Sequence, residues 1–207
     1  NQLTLTNGTD EAIQLVVNTY VNPGDQVVVL RPSYAMYRFY AQVMGADVVE
    51  VDYRADLSYP SDQLLRRISP RTRAILVANP NNPTGTSASP AQLKTLLGAA
   101  PRAAVMVDEA YFEFYGKTAL PWIKRYPNLF ISRTFSKAYG LAALRVGCLF
   151  SNQRNIAAIR KGQSPYSVNM AGVAAALEAV RDGAFIKRYV AEVLASRALL
   201  SAELSRL

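Results

Sequence analysis

Apolar positions along the chain fall into short runs separated by stretches of helical spacing. Residues 26–30, 47–51, 74–78, 103–107, 129–131 and 146–150 are short runs rich in Val, Ile, Leu, Ala and Phe. Runs that lack a clear apolar–polar alternation predict strands buried on both faces. Between them, residues 11–21 place Ile13, Val16, Val17 and Tyr20 on one helical face. Asn22-Pro23-Gly24-Asp25 reads as the turn that follows. Residues 34–44 predict a helix ended by Gly45, and 61–68 predict another. Residues 90–97 predict a third, with Ser89 as its cap and Pro90 at its first position. From Met170 onward the pattern is helical.

Strands alternating with helices imply right-handed crossovers. The expected fold is therefore α/β, a mostly parallel central sheet with helices on both faces. No internal repeat, low-complexity tract or linker interrupts it. One boundary is expected near Asp182-Gly183, dividing a domain at 1–183 from a long helix at 184–207. In such sheets ligands bind at the carboxyl ends of the strands.

Three of those ends carry unusual residues. Residues 74–78 are followed by Asn79-Pro80-Asn81-Asn82-Pro83-Thr84-Gly85, and 103–107 by Asp108-Glu109-Ala110-Tyr111. Residues 129–131 are followed by Ser132-Arg133-Thr134-Phe135-Ser136-Lys137. Singly these are a turn, a cap, a packing tyrosine and a surface lysine. Together they bring a carboxylate, an amine, a phenol and an amide to one crevice. Gly8-Thr9-Asp10 opens the first helix, where free N–H groups and the helix dipole favour an anion.

Composition narrows the chemistry. The chain has no histidine, which removes Ser-His-Asp and Cys-His mechanisms and His-based zinc sites. Proton transfer must use Lys, Asp, Glu, Tyr or a cofactor. Cys148 is the sole cysteine, so no disulfide forms within the chain, as suits a reducing cytoplasm. The net charge is +8, but its basic residues are scattered, so solvated surface is expected rather than a nucleic-acid site. No apolar run approaches the ~20 residues that span a bilayer. Both ends read as cut, and a longer parent chain is expected.

The three strand-end motifs, the third extended to Ser-Arg-Thr-Phe-Ser-Lys-Ala-Tyr-Gly-Leu-Ala-Ala-Leu-Arg-Val-Gly at 132–147, resemble the signatures of fold-type I (class I/II) aminotransferases, which use pyridoxal phosphate (PLP). Within that group they are most similar to the histidinol-phosphate aminotransferases. The resemblance runs from about Gly8 to Asn169. It implies that Lys137 forms a Schiff base with the cofactor and moves a proton, and that Asp108 keeps the pyridine nitrogen protonated. It implies that Asn82 and Tyr111 donate to the ring oxygen, and that Tyr34 stacks on the ring. Gly8, Thr9, Asp10, Thr134, Ser136 and Arg145 would bind the phosphate, Arg145 as a bidentate partner.

Lys137, Asp108 and Tyr111 are the expected catalytic residues. Ala143 departs from the family's pattern, which commonly has glycine there. The implied partners are an amino-acid donor such as glutamate and a keto acceptor, imidazole acetol phosphate for the histidinol-phosphate subfamily. The implied assembly is a homodimer. An aromatic aminotransferase, a threonine-phosphate decarboxylase and a non-catalytic regulatory module on the same scaffold are the alternatives. The family's N-terminal arm and C-terminal small domain, with its substrate-carboxylate arginine, are expected outside this chain.

Overall fold

The computed structural model describes residues 2–206. Among them, one sheet contains β1 (Leu3–Asn7), β2 (Gln26–Arg31), β3 (Asp47–Asp52), β4 (Thr72–Ala78), β5 (Ala104–Asp108), β6 (Leu129–Thr134) and β7 (Val146–Phe150). Their order across the sheet is β1-β7-β6-β5-β4-β2-β3. Strands β2 to β6 run parallel to one another, and β7 is antiparallel to both its neighbours. The helices are α1 (Gly8–Tyr20), α2 (Met36–Val43), α3 (Ser61–Arg66), α4 (Pro90–Ala99), α5 (Phe112–Tyr115), α6 (Gln153–Gly162), α7 (Met170–Arg181) and α8 (Gly183–Leu204).

Central strands read as continuous apolar runs because both faces are covered. Along β2, Val27 and Val29 pack with Ile13, Val16 and Val17 of α1 and Tyr37 and Ala41 of α2. Val28 and Leu30 point the other way, into a layer with Leu64 of α3 and Leu93, Leu96 and Leu97 of α4. Each such fully buried side chain stabilises the fold by about 1.5–3 kcal/mol. Helix α4 starts where the sequence predicts. The Ser89 hydroxyl accepts from the Gln92 amide at 3.2 Å, and the Ser89 amide donates to Gln92 Oε1 at 2.8 Å.

Strand β1 and helix α6 escape the sequence reading, each for a physical reason. In β1 the pattern is inverted. Thr4 and Thr6 are buried while Leu3 and Leu5 face outward. The threonines are satisfied by hydrogen bonds, Thr4 Oγ1 to Gln163 Oε1 and Thr6 Oγ1 to the Gly8 carbonyl, both at 2.8 Å. Helix α6 buries only Ile156 and Ile159, too few to announce a stripe. The expected 34–44 helix begins instead at Met36, which leaves Tyr34 in the loop after β2. The helical pattern from Met170 divides at Asp182, whose carboxylate caps α8 by accepting from the Phe185 amide at 3.0 Å. Among the described residues, no helix is long and apolar enough to cross a membrane.

The antiparallel setting of β7 decides what reaches the ligand edge. Strands β4, β5 and β6 deliver their carboxyl ends there, and so does β1. Because β7 runs backward, the residue before it, Arg145, arrives at the same edge.

Candidate active site

A cavity of about 100 Å³ opens at that edge. Thr9, Asp10, Tyr34, Asn82, Asp108, Tyr111, Thr134, Ser136, Lys137 and Arg145 line it, together with Tyr37, Ala78, Pro80 and Ala110. Every residue singled out in the sequence therefore borders the cavity except Gly8, which lies behind Arg145. Gly8 has φ +69°, and a Cβ there would sit 2.4 Å from Arg145 Nη2. Only glycine permits that approach.

One end of the cavity is built on the ion pair of Arg145 and Asp10. Arg145 Nη2 meets Asp10 Oδ2 at 3.0 Å, and its Nη1 reaches the Ala142 carbonyl at 3.2 Å and Ser136 Oγ at 3.5 Å. The Tyr34 hydroxyl donates to the other Asp10 oxygen at 2.8 Å. Burial raises the Tyr34 phenol's pKa, and the bond to Asp10 raises it further. Helix α1 begins here without a side-chain cap, which leaves its first N–H groups without a side-chain partner. Ala142–Leu144 form a single 3-10 turn ahead of Arg145, whose φ is +52°. Ala143 is accommodated in that turn.

The floor of the cavity is anionic. Asp108 ends β5 and is only 4% exposed. Its Oδ1 accepts from Ser132 Oγ at 2.8 Å and from the Ala110 amide at 3.2 Å. Its Oδ2 accepts from the Tyr37 hydroxyl at 2.7 Å. Burial pushes the Asp108 carboxyl above its ordinary pKa, and these donors pull it back. On the opposite wall, Asn82 Nδ2 donates to the Tyr111 hydroxyl at 3.3 Å, and Lys137 Nζ lies 5.6 Å from the Tyr111 ring centroid. The Thr134 hydroxyl accepts from the Ser136 amide at 3.0 Å, shaping the turn that presents Lys137.

Several contributors had no role assigned from the sequence. Tyr37 follows Tyr34 by three residues and reads as plain core. Ser132 faces Asp108 only through the β5–β6 register, where the two residues pair. Asn81 ties the β2 and β4 ends together, donating to the Pro32 carbonyl at 3.0 Å and accepting from Ser33 Oγ at 2.6 Å. Glu109 turns away from the cavity into a buried pair with Arg133 at 3.0 Å and bonds with Thr118 and the Ala119 amide. Asn81, Glu109 and Ser132 lie within the strand-end motifs and Tyr37 outside them, but in each case the role depends on a contact distant in the chain.

A model of one family, aminotransferase class I and II, matches residues 1–207. The histidinol-phosphate aminotransferase of Caldanaerobacter subterraneus subsp. tengcongensis is 37% identical over 202 residues, 97% of this chain and 57% of that protein. The enzyme of the same name from Shouchella clausii is 41% identical over 190 residues, covering 89% and 52% of the two chains. The chain thus spans 52–57% of the length of these curated relatives. Among solved structures, the histidinol-phosphate aminotransferase of Clostridium acetobutylicum superimposes with a TM-score of 0.89 at 26% identity, over 99% of this chain and 62% of that one. That of Sinorhizobium meliloti, solved in complex with pyridoxal-5'-phosphate, gives a TM-score of 0.85 at 30% identity, over 95% and 55%. The chain belongs to the class I and II aminotransferase family.

Proposed function

We propose that this chain is the cofactor-binding domain of a PLP-dependent aminotransferase that moves an amino group from a donor such as glutamate to a keto acceptor. The acceptor we favour is imidazole acetol phosphate, which is the reading suggested by the histidinol-phosphate aminotransferases among its relatives. The observation that carries the proposal is one cavity holding an amine, a buried carboxylate and an end built from Arg145 and an uncapped helix.

The residues fit the cofactor. Arg145 occupies the space that a Cβ on Gly8 would need, so the guanidinium lies against the start of α1, where a phosphate would find a cation and helix N–H donors. Thr134 and Ser136 add hydroxyls to this cradle. Lys137 would hold the cofactor covalently and carry a proton at Nζ. Asp108 would face the pyridine nitrogen, Asn82 and Tyr111 the ring oxygen, and Tyr34 the ring face. When bound, PLP supplies the electron sink that makes the substrate's Cα proton labile.

The chain's own part is electrostatic and geometric. Asp108 is a buried anion at the floor, and Lys137 stands close enough to the Tyr111 ring for their contacts to orient each other. Arg145 is kept in place by Asp10. The division at Asp182-Gly183, with α8 leading to a further domain, a homodimeric assembly and a cytoplasmic setting belong to the same proposal.

The test uses the full-length protein. With PLP it should develop a visible absorption band. Borohydride should then fix the label to Lys137, and glutamate with imidazole acetol phosphate should turn over. A label on another lysine removes the site assignment. Turnover with other acceptors only removes the substrate assignment.

A further inference from the structure

Among the described residues, Asp108 is a carboxylate with no salt-bridge partner. It is 4% exposed, and the groups on its two oxygens are a phenol, an alcohol and an amide. The charged and titratable groups that share its cavity are Asp10, Tyr34, Tyr37, Tyr111, Lys137 and Arg145. Of these, Arg145 is engaged with Asp10. Its chain neighbour Glu109 turns to Arg133. An ionised carboxylate offers about four acceptor positions, two on each oxygen. On Oδ1 both are filled, by Ser132 and Ala110; on Oδ2 one is filled, by Tyr37.

We propose that Tyr37 and Ser132 are positioning residues: their hydroxyls hold Asp108 as an oriented anion and leave one acceptor position, on Oδ2, for the cofactor's ring nitrogen. This inference rests on the reading of the site as a PLP site. Neutral donors suit that role better than a cation. An arginine against Asp108 would satisfy the carboxylate and compete with the ring nitrogen for its charge. A hydroxyl supplies a hydrogen bond and leaves the negative charge available.

The two donors come from independent elements. Tyr37 lies in the first turn of α2, 1% exposed, with its ring edge-on to Tyr34 at 5.7 Å between centroids. Burial and the neighbouring Asp108 charge hold its phenol well above the ordinary value, so it stays a donor at any working pH. Ser132 is fixed from the other side, by the strand register that sets it beside Asp108. The carboxylate is therefore held from two directions.

The test is Tyr37→Phe in the full-length protein, with Ser132→Ala as the second arm. Phe fills the same space and removes only the hydroxyl. The direct readout is the Asp108 carboxyl titration in the cofactor-free protein, followed by ¹³C-labelled aspartate and assigned with Asp108→Asn. A lost hydrogen bond to a charged group is worth roughly tenfold to hundredfold, so the midpoint should rise by about one to two pH units. In the PLP-loaded protein, kcat should fall by roughly the same factor while KM for glutamate stays within about twofold.

A merely structural role for Tyr37 would lower thermal stability or cofactor content and leave the midpoint where it was. That result overturns the proposal. If Tyr37→Phe does not fold, Ser132→Ala carries the same test at Oδ1, and an unmoved midpoint there overturns it equally. Failure of the wild-type protein to take up PLP would sink the reading of the site instead, and would be seen before any variant is made.

Discussion

Gly8→Ala separates ligand binding from folding. The backbone at Gly8 has φ +69°, which costs an L-residue about 1–2 kcal/mol. The smaller entropy of the unfolded alanine chain offsets about 0.4–1 kcal/mol of that. A net loss of roughly 1 kcal/mol of stability follows. The new Cβ would stand 2.4 Å from Arg145 Nη2 and 3.1 Å from its Cζ. Those atoms end a long flexible side chain, so the guanidinium moves and the backbone does not. What is lost is the ligand end of the cavity. Each charge-assisted hydrogen bond to a phosphate is worth about 1.5–3 kcal/mol, so the dissociation constant for PLP should rise roughly tenfold to hundredfold.

Gly147→Ala makes the contrast. Its Cβ would meet Gly8 C at 2.7 Å, Gly8 O at 2.9 Å and Gly8 Cα at 3.0 Å. Those are backbone atoms next to β1, which pairs with β7 through Thr6 and Gly147. Nothing there yields cheaply, so the overpacking costs about 1–3 kcal/mol or more in folding. The assay is a PLP titration by visible absorbance beside urea unfolding of the cofactor-free, full-length protein. The expected order is Gly8→Ala worse in affinity and Gly147→Ala worse in stability. A Gly8→Ala variant that binds PLP as tightly as wild type would refute the cradle, and a reversed stability order would refute the packing argument.

Three further predictions rest on single contacts. Asp108→Asn should retain PLP and lose transamination by orders of magnitude. Because burial raises the folded pKa of Asp108 above its ordinary value, the native state holds this proton more tightly and wild-type stability falls as pH rises past the ordinary carboxylate range. The cofactor-free Asn variant should therefore lose that part of the pH slope in urea unfolding. Cys148 is buried, with its thiol pushed up to about 11, so iodoacetamide at pH 7.5 should label it only after denaturation; rapid native labelling would contradict the packing of β7. Glu109→Gln leaves Arg133 without its buried partner and should destabilise by about 3–5 kcal/mol, read by urea unfolding; a loss under about 1 kcal/mol would show that Thr118 and solvent suffice.

The central sheet was legible because its strands are continuous apolar runs, a pattern forced by helices on both faces. The edge was not. Leu3 and Leu5 point outward while Thr4 and Thr6 are buried, so an apolar–polar reading assigns β1 the wrong faces or no strand at all. The site divides in the same way. Residues that act at a strand end, such as Asn82, Asp108 and Lys137, sit in contiguous motifs. Of the residues that hold them, Tyr37 lies outside those motifs, and Ser132 lies inside one with no local sign of its role. Tyr37 reaches Asp108 from 71 positions away, and Ser132 from 24.

That division has a physical source. A group that must touch a ligand is placed by the local turn that carries it, so its neighbours in sequence are constrained along with it. A group that orients another side chain needs only a hydroxyl at the right point in space, and any element passing that point can supply it. Here α2 and β6 do so because the sheet order sets β6 beside β5, while α2 packs over the face reached by the strands between. Reversing β7 adds the one residue that a purely parallel sheet would have sent to the far edge. Arg145 precedes β7 rather than following it, and only an antiparallel strand turns that position toward Gly8. The cation of the site is thus a consequence of topology, and the anion's environment a consequence of register.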